Sequence, residues 1–165
     1  MPIPTDSFYQ GGDLGAGKPA TIQQMTVNSE VASAPIMYGQ AVAMVGGKVA
    51  PATGAPIYGI ALSRVYENDD RFMSPKTDTW QAGETIPVVR EGTVAVPISA
   101  DVNRGDNATV DATGLFKPAG ASDSIVGIFT TAGNSGHTAA LQTGQGYNAQ
   151  SASSQQPVSY THLRA

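Results

Sequence analysis

The chain has 165 residues, enough for one domain with a core of its own. Its 19 Gly and 11 Pro, with 13% charged side chains and few aromatics, describe a turn-rich, strand-rich protein. A net charge of −4 without a basic run argues against a nucleic-acid partner, and the lack of Cys excludes disulfides and thiolate metal sites.

In chain order, residues 1–35 read as an extended arm, with Pro2, Pro4, Pro19 and Pro35 among glycines and polar residues. No basic-then-apolar leader opens it, and no apolar run approaches the length of a membrane span. A fold made in the cytoplasm, with no membrane partner, is expected. Within the arm, "GDLGAGKPA" spells most of a phosphate-binding loop in Gly12, Gly17 and Lys18. The position that should carry a Mg²⁺-binding hydroxyl is Pro19, and no apolar strand precedes the loop. A nucleotide site is therefore not expected.

Residues 36–143 read as a β domain. "GQAVAMVGGKVA" forms two apolar runs around Gly46–Gly47, a pair suited to a tight hairpin turn. "PIYGIALSRV" follows as a third strand. "ETIPVVREGTVAVPISA" reads as a second hairpin turning at Glu91–Gly92, with Pro87 and Pro97 expected at an edge or bulge. "NATVDATGLFKPA" predicts a third hairpin turning over Asp111 to Gly114. "SIVGIFTTAGNSGHTAALQT" predicts a fourth, with Gly133 to Gly136 in its loop.

Two stretches match. Gly39 aligns with Gly105, Gly47 with Gly114 and Val49 with Phe116. Pro51-Ala52 aligns with Pro118-Ala119, and Ile57-Tyr58-Gly59-Ile60 with Ile125-Val126-Gly127-Ile128. Each copy would be a hairpin, a turn and a returning strand. The expected fold is all-β, a small β-sandwich or barrel built from hairpins with an extended N-terminal arm.

Between the strands, residues 64–80 form a long polar excursion holding Tyr66, Phe72 and Trp80. Long loops are commonly functional, and aromatics on them favour partner contact. Phe8, Tyr9, Tyr66, Phe72 and Trp80 are the candidate partner contacts. The competing reading of Trp80 is a residue that starts the next strand and caps the core. Residues 144–157 are polar and aperiodic and are expected to be disordered. Residues 158–165, "VSYTHLRA", look like translated sequencing adaptor and are left out of the fold reasoning.

No reaction chemistry stands out. His137 lies beside a glycine-rich turn without a nucleophile elbow. Asp69 and Asp70 lack calcium-loop spacing. "RGD", Arg104 to Asp106, falls where the first copy has a strand-entry turn. No catalytic residue, cofactor or metal is expected, and the chain is not read as an enzyme.

The hairpin "EGTVAVPI", the phrase "RGDNATVDATGLFKPAG" and the ending "IVGIFTTAGNSGHTAALQT", in that order, resemble the capsid cement, or head decoration, proteins of tailed bacteriophages. The resemblance covers roughly residues 37 to 143. It implies a virion protein on the outside of the expanded head, present in the host cytoplasm during assembly. Its partner would be the major capsid protein lattice, where it would form a homo-oligomer and bridge capsid subunits. The alternative is a host-attachment module, fibre- or spike-like, that binds carbohydrate.

Overall fold

The computed structural model describes residues 14–64 and 78–144. These residues contain strands and turns and no helix, as the all-β expectation requires. The strands are β1 (Thr26–Val31), β2 (Ile36–Met37), β3 (Ala41–Val45), β4 (Lys48–Pro51), β5 (Gly59–Ala61), β6 (Thr79–Trp80), β7 (Thr85–Pro97), β8 (Asn107–Val110), β9 (Phe116–Pro118), β10 (Gly127–Phe129) and β11 (Thr138–Thr143). One sheet runs in the order β4-β3-β5-β7-β11-β10-β8-β9, with β1 also on β7, and β2 pairs with β6 alone.

Three of the four expected hairpins form. β3 and β4 turn at Gly46–Gly47, whose φ values of +58° and +79° are ones that a side chain resists. β8 and β9 turn through Asp111–Gly114, where the Asp111 carboxylate accepts from the Thr113 and Leu115 N–H groups. β10 and β11 pair across the Gly133–Gly136 loop.

The hairpin expected at Glu91–Gly92 does not form. Residues 85–97 are one continuous strand. A two-residue reversal needs positive φ at one or both central positions together with strands that pair on each other. Here Gly92 lies at φ +146°, a glycine conformation far from the values such a reversal uses, and the Met25 side chain packs where its Cβ would be. The strand bends and continues. Its first half is flanked by β5 and β1, its second by β11 and residues 17–20. Pro97 closes β7, and Pro87 lies one residue past the β5 ladder, which ends at Val88, while on the other side it pairs with Ser29 inside the β1 ladder.

The expected arm is extended but docked wherever it is described. β1 pairs with residues 85–91. Gly17 and Ala20 N–H donate to the Ala95 and Thr93 carbonyls at 2.8 and 3.0 Å, and Ala95 N–H donates to Lys18 at 2.9 Å. Residues 1–13, 65–77 and 145–165 lie outside the described residues, and with them most of the excursion and all of the tail beyond Gly144.

The matched stretches fold with the same wiring. In the first half Val42 faces Pro51 on one side and Gly59 on the other; in the second Ala108 faces Pro118 and Gly127. Gly39 N–H donates to Ala61 at 2.8 Å, and Gly105 N–H donates to Phe129 at 2.7 Å. The correspondence extends beyond the stretches matched in sequence. Ala32 bridges Val49 as Ile98 bridges Phe116, both in parallel. Ser33 and Ser99 N–H donate to those same partners at 2.8 and 2.9 Å. These bridges tie the start of each half to its edge strand, β4 or β9, and the antiparallel sheet curls into a half-barrel. β7 belongs to both halves, serving the first as an inner strand and the second as its opening strand.

The core divides accordingly. Ile36, Tyr38, Val42, Val49, Ala61, Trp80, Ile86 and Val88 fill the first half. Ile98, Val102, Phe116, Phe129 and Leu141 fill the second. They run without a break into Ala41, Ala52, Ile57, Ile60 and Val89 of the first. Continuous apolar packing joins the halves into one folding unit.

Candidate functional site

The polar excursion leaves the sheet after β5 and returns at β6, and its two ends are stapled together. The Trp80 indole N–H donates to the Leu62 carbonyl at 2.8 Å. Tyr38 meets the indole edge-on, with centroids 5.8 Å apart, and the Arg64 guanidinium lies 4.3 Å from the ring centre. One Arg64 nitrogen donates to both oxygens of Glu84, at 2.6 and 2.7 Å. A Glu84 oxygen also accepts the Gln81 N–H at 2.6 Å. The Gln81 N–H, then Arg64, hold the Glu84 carboxyl below its ordinary range. Glu84 in turn raises Arg64. The charges are about one-third exposed, so the pair contributes about 1 kcal/mol or less. Its effect is geometric, since Leu62–Arg64 and Trp80–Glu84 are held together whatever the intervening chain does.

The second half has no such excursion. Its chain passes from Thr130 to Gly133 directly, where the first passes from Leu62 to Trp80. Gly133 there makes the bridge to Val102 that Trp80 makes to Ile36. The excursion is therefore an insertion into one copy of a repeated frame.

Of the expected contacts, Trp80 is described, and it is 8% exposed. It ends the two-residue β6 and caps the first-half core. Phe8, Tyr9, Tyr66 and Phe72 lie outside the described residues, as do Asp69 and Asp70. Arg64 and Glu84 were not singled out from sequence; they stand twenty residues apart, and only the fold pairs them.

The remaining motifs have structural uses. In the loop that spells a phosphate site, Gly17 is buried at φ +79°, and its N–H is taken by Ala95. A Cβ there would come within 2.6 Å of the Ser63 nitrogen. In the RGD tripeptide, an Asp106 oxygen accepts the Asn103 N–H at 2.9 Å, as the Gln40 amide oxygen accepts the Met37 N–H at 2.9 Å. It is a strand-entry turn. His137 accepts from Ile98 N–H and donates its own N–H to Asn134, both through backbone. No group of three metal-ligating side chains occurs among the described residues.

The family model of the structural cement protein (E217 gp24/Pam3 gp6) matches residues 6–144. The chain belongs to this phage cement family. It is a structural virion protein. No curated protein sequence matches it. A chain from the capsid of Myoviridae phage XM1 has the same fold, with a TM-score of 0.59, 14% identity, and coverage of 81% of this chain and 92% of that one. The N base of the phi29 head fibre gp8.5 aligns with a TM-score of 0.49 at 16% identity, over 73% of this chain and 94% of that one. The family match extends beyond the resembling phrases at both ends, taking in much of the docked arm.

Proposed function

We propose that this cement protein binds the outside of the expanded head and stabilises the shell by bridging neighbouring major capsid subunits. The observation that carries the reading is the family match over residues 6–144. The duplicated build supports it, because one chain presents two similarly folded halves, and a bridge needs two places to hold. Several modest contacts on a fixed frame gain by effective concentration what none achieves alone. The action is adhesive, with no catalytic step.

The aromatic residues outside the described frame, Phe8, Tyr9, Tyr66 and Phe72, remain the proposed contacts. Tyr66 and Phe72 belong to the insertion, whose ends the Arg64–Glu84–Trp80 staple fixes on the first half. Trp80 contributes mainly by holding that base. Expansion changes the spacing of capsid subunits, so a chain that touches more than one fits a single spacing. Co-sedimentation with expanded and compact precursor shells tests this. Binding to expanded shells only is expected. Equal binding to both, or to neither, rejects bridging, and binding to a host polysaccharide instead supports the attachment module.

A further inference from the structure

We propose that copies of this chain join head to tail through a second use of the contact that already joins its two halves. The proposal rests on the duplicated wiring and not on the capsid reading, and its test needs no shells.

The internal joint consists of a tip and a seat. The tip is the β8–β9 turn of the second half. The seat is Gly39–Ala41 with Ala52, on the first half. Gln40 Nε2 donates to the Thr113 carbonyl at 2.7 Å, and Ala41 N–H donates to the Gly114 carbonyl at 3.0 Å. Gly114 is pressed so close that a Cβ would stand 2.9 Å from Gln40 Cγ and 3.2 Å from the Ala52 oxygen. Beside it, Gly39 lies against Pro97 and the Ala95 carbonyl.

Each half carries both parts. The first-half counterpart of the tip is the Gly46–Gly47 turn. The second-half counterpart of the seat is Gly105–Asn107 with Ala119. They hold the same conformations: φ is +79° at Gly47 against +83° at Gly114, and +93° at Gly105 against +75° at Gly39. Ala119 N–H donates to Asn107 at 2.8 Å as Ala52 N–H donates to Ala41 at 2.9 Å.

Only one of the two joints is made. Among the described residues, a Cβ on Gly46, Gly47 or Gly105 would meet nothing within 4 Å. At the free tip Met44 and Val45 are 42% and 59% exposed, while Val110, beside the used tip, is 5% exposed. A contact that occupies the first seat and second tip, and leaves the second seat and first tip open, is heterologous. Such contacts repeat from molecule to molecule until they close a ring or run on as a chain.

The occupant is a second copy because every molecule carries both the free tip and a seat of the pattern that such a tip fits. In the joint between copies, Asn107 N–H donates to the Gly47 carbonyl of the next molecule. Asp106 stands where Gln40 stood and cannot donate, and Lys48 at the tip brings the charge that complements it. Asn107 is exposed where Ala41 is buried. The joint between copies is thus more polar than the internal one and reversible.

Sedimentation equilibrium on the full chain, without shells, tests the proposal from micromolar to millimolar concentration. The wild-type mass should rise with concentration. Val45→Glu blocks the tip and Asn107→Arg blocks the seat; both positions are exposed, and circular dichroism should match wild type. Each variant alone should associate at least tenfold more weakly. A one-to-one mixture should form dimers and stop there, because it holds one working tip and one working seat per pair. A wild-type chain that stays monomeric, folded variants that associate as wild type does, or a mixture of folded variants that forms no dimer would each overturn the proposal.

Discussion

Gly59 and Gly127 occupy the same rung in the two copies of the repeated frame, each pressed against a carbonyl oxygen of the next strand. A Cβ on Gly59 would collide with the Val89 oxygen, and one on Gly127 with the Gln142 oxygen, each closer than the 3.0 Å that real contacts keep. Both glycines face backbone of the adjoining ladder, which cannot rotate away as a side chain can.

Either glycine replaced by Ala should therefore destabilise the fold by about 1–3 kcal/mol, the usual range for overpacking a tight site. Gly54 has open space around it and no positive φ, so Gly54→Ala should be neutral. Urea denaturation of the three variants checks this. A neutral Gly59→Ala together with a neutral Gly127→Ala would remove the close-approach account of the repeat.

The loop that spells a phosphate site separates structural from chemical readings. Gly17→Ala should cost about 1–3 kcal/mol, through its positive φ and the close Ser63 nitrogen. Lys18 is exposed, and Lys18→Ala should change stability by less than about 0.5 kcal/mol. Titration with a fluorescent nucleotide should show no saturable binding. Saturable binding lost in Lys18→Ala would restore the nucleotide reading.

The staple should fail in acid. Glu84 is held low by the Gln81 N–H and Arg64. At Asp111 burial pushes upward, but the bonds from Thr113, Ser99 and Leu115 together outweigh it and leave the carboxyl lowered. A carboxyl lowered in the fold binds protons more readily when unfolded. Its contribution is present above the unfolded pKa and is lost as pH falls through the folded one. Wild-type stability should thus drop below the ordinary carboxylate range, and the gap between wild type and Glu84→Gln should narrow there. Trp80, the one Trp of the chain, reports unfolding by fluorescence. A gap that is constant from neutral pH to pH values below the carboxylate range would contradict this role of Glu84.

What the sequence made legible follows from backbone sterics. Gly46–Gly47 and Gly114 marked turns because only glycine holds their φ at no cost. The pairs Gly39/Gly105, Pro51/Pro118 and Gly59/Gly127 betrayed the repeat because they meet the same constraints twice. β1 escaped notice because Asn28 and Ser29 are exposed and Glu30 is half-buried beside Tyr58. Its pairing comes from main-chain bonds, which leave no apolar alternation. Glu91–Gly92 looked like a turn because a bend and a reversal use the same residues. The staple left no local pattern, since Arg64 and Glu84 meet only across the insertion.

Trp80 should matter to the frame. Trp80→Ala should cost about 3–5 kcal/mol by emptying the first-half core. Trp80→Phe, which loses the bond to Leu62 and weakens the Arg64 contact, should cost about 1–2 kcal/mol. Thermal unfolding followed by circular dichroism measures both. A Trp80→Ala chain as stable as wild type would show that the indole does not hold the core.

The claim that this protein cements a head is tested most directly by heating DNA-filled particles that lack it, alone and after adding the purified chain, and following DNA release. If the chain bridges capsid subunits, saturating amounts should raise the release temperature, and the rise should level off once its sites on the shell are filled. Particles that bind the chain to saturation yet release DNA at an unchanged temperature would contradict the account.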